Sequence, residues 1–158
     1  MKKYLLLVLV LLLLLVIKFY TDPYNTAYRN GVKYLDTINK LDNQAVMFDI
    51  DNTLLHFTFL PIKPIINLLN ECKKRGFLIV IITARDSRYK KETEKDLLGI
   101  QYDYLYMRHD PVDNHVMFKS DVKQMLHEKN GITTVMSVGD NSMDIIGDHS
   151  GYKLKLPG

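Results

Sequence analysis

From Ala45 onward, short apolar runs alternate with segments whose apolar residues recur at helical spacing, and this rhythm constrains the fold most. Ala45–Ile50 and Phe77–Ile82 are apolar at nearly every position, the pattern of strands covered on both faces. Between them, Pro61–Arg75 predicts a helix. Pro64 suits its first turn, Ile65, Leu68, Leu69 and Cys72 form one face, and Gly76 stops it. Ser87 can cap a helix running to Leu98, which Gly99 ends. Tyr102–Met107 reads as a third strand with Tyr102, Tyr104 and Tyr106 on one face. Ser120 can cap a further helix that turns Val122, Met125 and Leu126 inward and stops at Asn130-Gly131. Thr133–Val138 and Tyr152–Leu156 complete the series. Such alternation predicts a Rossmann-like three-layer α/β sandwich with a parallel sheet of about five strands.

The 158 residues suffice for one domain and a short appendage, and the residues divide as 1–20, 21–44 and 45–158. Leu5–Ile17 is unbroken apolar sequence between Lys2-Lys3 and Lys18. At about 1.5 Å per residue it reaches about 20 Å, short of a hydrocarbon core of about 30 Å. With Tyr4, Phe19 and Tyr20 as interfacial aromatics, residues 4–20 are expected to contact a membrane as a single-pass anchor. A cleaved secretory signal is the rival, disfavoured because Thr21-Asp22-Pro23-Tyr24-Asn25 offers no small-x-small site. Lys2, Lys3 and the α-amino group favour an N-inside orientation, with the folded domain on the non-cytoplasmic side. Residues 21–44 read as a polar, Tyr/Asn-rich connector with helical character around Ala27–Ile38.

Charge and cysteine exclude two classes. The leader lysines Lys2, Lys3 and Lys18 account for three of the 21 basic residues, leaving 18 against 18 acidic residues. A globally basic nucleic-acid binder is not supported. The single cysteine, Cys72, excludes an internal disulfide framework.

The chemistry lies where the strands end, which is where open α/β sheets bind ligands. The first strand runs into Asp49-Ile50-Asp51-Asn52-Thr53, and residues two apart in extended chain project to one side. The second strand ends at Thr83, and the fourth in Gly139-Asp140-Asn141-Ser142-Met143-Asp144, with Lys119 between them. This ordered set resembles the haloacid dehalogenase-like (HAD) phosphohydrolases over about Ala45–Leu156. Asp49, Asp51 and Thr53 match the first motif, Thr83 the second, Lys119 the third, and Gly139, Asp140 and Asp144 the fourth. Thr83-Ala84-Arg85 and Leu105-Tyr106-Met107-Arg108 add a narrower likeness to polynucleotide kinase phosphatase domains and acid phosphatases.

The resemblance implies that Asp49 is a nucleophile forming an aspartyl-phosphate and Asp51 the general acid and base. It implies Mg²⁺ held by Asp49, Asp140, the Asp51 carbonyl and waters on Asp144. Lys119 and Thr83 would offset charge on the transferring group, and Arg85 and Arg108 are further candidates for substrate phosphate. Lys123, one turn beyond Lys119, competes for the third-motif role. His56, His109 and His115 are too scattered for a zinc site. A non-catalytic phosphate-binding or scaffolding module on the same fold is the second function class.

Neither the 31 residues between Asp51 and Thr83 nor the 35 between Thr83 and Lys119 leave room for a cap domain. The site is therefore expected to be open, walled by a His56–Leu60 flap and an Arg108–Met117 loop. A macromolecular phosphate, on a nucleic-acid end or a phosphoprotein, would supply the missing wall, and nucleotides are a further candidate. Nucleic acid enters this reading as substrate only.

Overall fold

The structure is a computed structural model that describes residues 2–109 and 115–158. Five strands, β1 (Gln44–Phe48), β2 (Leu78–Asp86), β3 (Tyr104–Arg108), β4 (Thr133–Gly139) and β5 (Tyr152–Lys155), form one sheet in the order β3-β2-β1-β4-β5. Every pairing is parallel, with Ala45 opposite Leu78 on one side and Thr134 on the other. The strand order therefore reverses at β1, and the crevice beyond the carboxyl ends of β1 and β4 is the natural ligand position.

The central strand shows why an apolar run was legible as two-sided burial. Ala45, Val46, Met47 and Phe48 are all fully buried. Val46 and Phe48 join a core with Ile65, Leu68, Leu69 and Cys72 of helix α3 (Lys63–Lys74). Ala45 and Met47 turn the other way, onto Val122 and Leu126 of α5 (His115–Asn130). The large ones, such as Val46, Met47 and Phe48, each contribute about 1.5–3 kcal/mol on leaving water, which fixes the strand between two helical layers. Burial pushes the Cys72 thiol up to about 12, so it remains a packing group.

Part of the segment read as a connector is folded into the body. Helix α2 (Pro23–Leu35) starts at Asp22, whose carboxylate accepts from the Asn25 amide at 2.8 Å, and buries Ala27, Gly31 and Leu35. A Cβ at Gly31 would meet Leu68 at 2.8 Å, so this glycine sets the close approach of α2 to α3. The face is built of small residues and partly buried tyrosines, which is why its periodicity reads as polar.

Other boundaries differ from expectation for local reasons. Strand β2 continues to Asp86 through an irregularity after Thr83. Asp86, not Ser87, then caps a 3-10 turn (Ser87–Tyr89) that leads into α4 (Lys90–Asp96). Arg88 holds the Asp86 carboxyl down to about 2 by donating to it from both its guanidinium and its backbone amide. Ser120 lies inside α5, which begins five positions earlier at His115, so Lys119 is helical. Tyr102 precedes β3 and packs on the Phe48 side of the sheet, whereas Tyr106 packs on the Met47 side, so the tyrosine row is split. Residues 110–114 of the expected Arg108–Met117 wall lie outside the described residues.

Helix α1 (Lys2–Thr21) presents Leu7–Ile17 to solvent, each residue 45–63% exposed. Among the described residues no single helix is long and apolar enough to cross a membrane. Leu7–Lys18 and Pro23–Leu35 satisfy that test only as a pair bent by 56°.

Candidate active site

The floor of the crevice is a buried charge cluster. Asp49 follows β1, and its amide donates to Val138 of β4 at 3.1 Å, which locks the two strand ends together. Asp140 follows β4, and Asp144 lies in the short helix α6 (Ser142–Ile145). One oxygen from each of Asp49, Asp140 and Asp144 lies within 4.8 Å of the others. These hard oxygen donors fit a divalent cation.

Asp144 is held by reciprocal capping. The Asn141 side chain accepts from the Met143 amide at 3.1 Å, and Asp144 Oδ2 accepts from the Asn141 amide at 2.8 Å. A Cβ on Gly139 would stand 2.2 Å from that carboxylate, so the glycine is needed for Asp144 to lie against the end of β4.

Lys119 donates to Asp49 Oδ1 and, at 2.6 Å, to Asp144 Oδ1. All three residues are at most 6% exposed. Burial pushes the Asp49 carboxyl up to about 7; the Lys119 charge pulls it down and Asp144 adds to the rise. Burial alone would lower the Lys119 ammonium, but the two carboxylates outweigh it and hold it above its ordinary range. Asp140 is also raised, by burial first and then by Asp144, against a long hydrogen bond from Asn52 at 3.5 Å.

Lys123 is equally buried but serves elsewhere. Its Nζ donates to the Asp144 carbonyl at 3.0 Å, the Ile146 carbonyl at 2.8 Å and Ser150 Oγ at 2.7 Å. Burial, chiefly, brings its ammonium down to about 8. One helical turn separates a lysine facing carboxylates from one facing carbonyls.

The rim is more exposed. Asp51 has a half-exposed side chain and is gripped by Arg85, whose third nitrogen reaches Asp96. Thr83 is buried, and its hydroxyl accepts from the Arg85 amide at 3.2 Å. Thr53 Oγ1 is buried with no hydrogen-bond partner among the described residues. Arg108 ends β3, paired in register with Asp86. In the flap, the His56 amide donates to Leu60 O at 2.9 Å and Phe59 takes a φ of 61°. The Phe59 ring lies 5.9 Å from the Arg85 guanidinium, and Phe57 is 83% exposed. The Lys123 contacts and the Asp96 partner carried no local sequence signal; both depend on residues brought together by the fold.

The profile of HAD superfamily, subfamily IIIB (acid phosphatase), matches residues 58–158. The chain belongs to this family. The match contains Thr83, Lys119, Asp140 and Asp144 and begins after Asp49–Thr53, and its family is of the enzyme class expected from the strand ends. Among solved structures, the chain is similar to the class C acid phosphatase from Bacillus anthracis at 19% identity and a TM-score of 0.62. That likeness covers 83% of this chain and 69% of the other. The same enzyme with tungstate bound matches at 18% identity and a TM-score of 0.62, over 85% of this chain and 70% of the other. Both likenesses concern the fold. The Pnkp1/Rnl/Hen1 complex contains a chain matched at 24% identity with a TM-score of 0.47, over 59% of this chain; the chain spans 38% of that one. No curated protein matches.

Proposed function

We propose that the protein is a Mg²⁺-dependent phosphomonoester hydrolase that works through an aspartyl-phosphate on Asp49. The observation that carries this reading is the convergence of Asp49, Asp140, Asp144 and Lys119 at the sheet's switch point in a member of an acid phosphatase family. In the first half-reaction an Asp49 oxygen attacks phosphorus and the bond to the leaving oxygen breaks. Asp51 gives that oxygen its proton. In the second, water loses a proton to Asp51 while its oxygen bonds to phosphorus and the bond to Asp49 breaks. Inorganic phosphate leaves, and both carboxyl groups return to their starting states. Lys119 and Thr83 offset and bind the oxygens of the transferring group, with Arg108 as an outer contact. A bound Mg²⁺ would screen the repulsion between the Asp49 carboxylate and the phosphate, held by Asp49, Asp140, Asp144 and the Asp51 carbonyl.

The exposed rim supports an open site, and an open site favours a phosphate whose carrier supplies the missing wall. We assign it to a nucleic-acid end, a nucleotide or a phosphoprotein. The exposed apolar α1 supports a membrane tether through residues 4–20, and the charge of Lys2, Lys3 and the α-amino group ahead of it favours a catalytic domain on the non-cytoplasmic side. The full chain in detergent should hydrolyse a phosphomonoester panel with Mg²⁺ and stop in EDTA. A phosphoenzyme should be trappable on the wild type and absent from Asp49→Asn. Equal labelling of Asp49→Asn would overturn the nucleophile, and full activity in EDTA would remove the metal.

A further inference from the structure

Arg85 was expected at the substrate phosphate, but its guanidinium is occupied on every nitrogen. Nε and Nη2 hold Asp51 in a two-pronged pair, Nη2 at 2.6 Å from Oδ1 and Nε at 2.9 Å from Oδ2. Nη1 donates to Asp96 Oδ2 at 2.7 Å. The Arg85 side chain is only 17% exposed. A planar guanidinium held at two edges cannot translate without breaking one pair, so Asp96 fixes where Arg85 presents its other edge.

Two further features single out Asp96. It is the last residue of α4, where the helix end disfavours a carboxylate. It also lies 45 positions after Asp51, so only the fold brings the two acids to one cation. The pairing leaves Asp51 chemically usable. Its Oδ1 accepts from Nη2 and, at 3.2 Å, from Nε, while Oδ2 accepts only from Nε. Oδ2 therefore keeps a lone pair that can carry a proton.

From this chain of contacts we infer that Asp96 is a positioning residue: it anchors Arg85, which orients Asp51 for proton transfer, and Arg85 is not a phosphate ligand. The inference rests on the hydrolase reading above. It applies to the step in which Asp51 protonates the leaving oxygen, so its signature is a dependence on the leaving group. An alkyl alcohol needs that proton as the bond to phosphorus breaks, whereas p-nitrophenolate departs without it.

The test compares full-length wild type, Asp96→Asn and Asp96→Glu on p-nitrophenyl phosphate and on glycerol 2-phosphate in Mg²⁺. Asp96→Asn should lower kcat/KM on the alkyl ester about 10-fold or more, within the range assigned to a misplaced acid, and leave the aryl ester within about 3-fold. Asp96→Glu should recover part of the alkyl activity, and thermal unfolding should show both variants folded. Equal losses on the two esters, or no loss on either, would overturn the positioning role while leaving the hydrolase reading intact. Absence of turnover by the wild type on both esters would overturn the two together. If Asp96→Asn does not fold, Arg85→Lys supplies the same comparison, because a lysine cannot span both carboxylates; selective alkyl loss supports the role and uniform loss overturns it.

Discussion

The floor of the site and its rim are built from the same kinds of side chain and use them in opposite ways. On the floor, Lys119 bridges Asp49 and Asp144 with almost no contact with water. At the rim, Arg85 bridges Asp51 and Asp96, and Asp51 is half exposed. Buried charges stabilise each other only as a complete set, because each lone one would bear its desolvation cost unrelieved. At the rim Arg85 is held just as firmly, but the Asp51 carboxylate it orients still reaches water and so bears less desolvation. The division suits the proposed chemistry: a nucleophile must be fixed, and a group that gives and takes a proton must remain accessible.

The largest difference should appear when each cation is removed. In EDTA, Lys119→Met should cost about 3–5 kcal/mol of stability by urea unfolding, since it strands two buried carboxylates. Arg85→Met should cost less, about 1–2 kcal/mol, because both carboxylates it leaves behind reach water. Equal costs would erase the distinction between floor and rim.

A smaller effect should follow from Gly139→Ala, which touches the floor through shape alone. The new methyl would overlap the Asp144 carboxylate, so the predicted cost is about 1–3 kcal/mol, as for an overpacked core. Activity should fall more steeply than stability because Asp144 must move from the metal-binding group. Calorimetric Mg²⁺ titration beside a thermal melt would separate the two; unchanged Mg²⁺ affinity would place Asp144 outside the cation's reach.

The comparison can also be sharpened by pH. Burial raises the Asp49 carboxyl from its usual 3.8 to about 7. Between those values the folded state holds a proton that the unfolded state has lost, so in EDTA this group makes stability fall as pH rises from about 4 to 7. Mg²⁺ requires the carboxylate, so its stabilisation should grow across the same window. Melting temperatures with EDTA and with Mg²⁺ would check both slopes. A flat EDTA profile would mean that the Lys119 charge, not burial, governs Asp49.

Much of this molecule was legible in its sequence because the signals are local. Apolar runs such as Ala45–Phe48 announce burial on both faces, and Ile65, Leu68, Leu69 and Cys72 announce one helical face. The chain order of Asp49, Asp51, Thr83, Lys119, Asp140 and Asp144 pointed to the crevice because parallel connections bring successive strand ends to one edge. The helical character of α2 was legible, but its packing onto the body was not, since Ala27 and Gly31 pack through close approach and have no long apolar side chains to mark a buried face. Ser87 misled because β2 runs on to Asp86, which takes the cap, and Ser120 because α5 already begins at His115. Sequence alone thus determined which elements form and which residue types gather at the sheet edge. Only tertiary structure decided that Lys119 faces carboxylates and Lys123 carbonyls, and that Asp96 reaches Arg85. Those partners are set by the direction of side chains across packed elements, and spacing along a chain does not encode that direction.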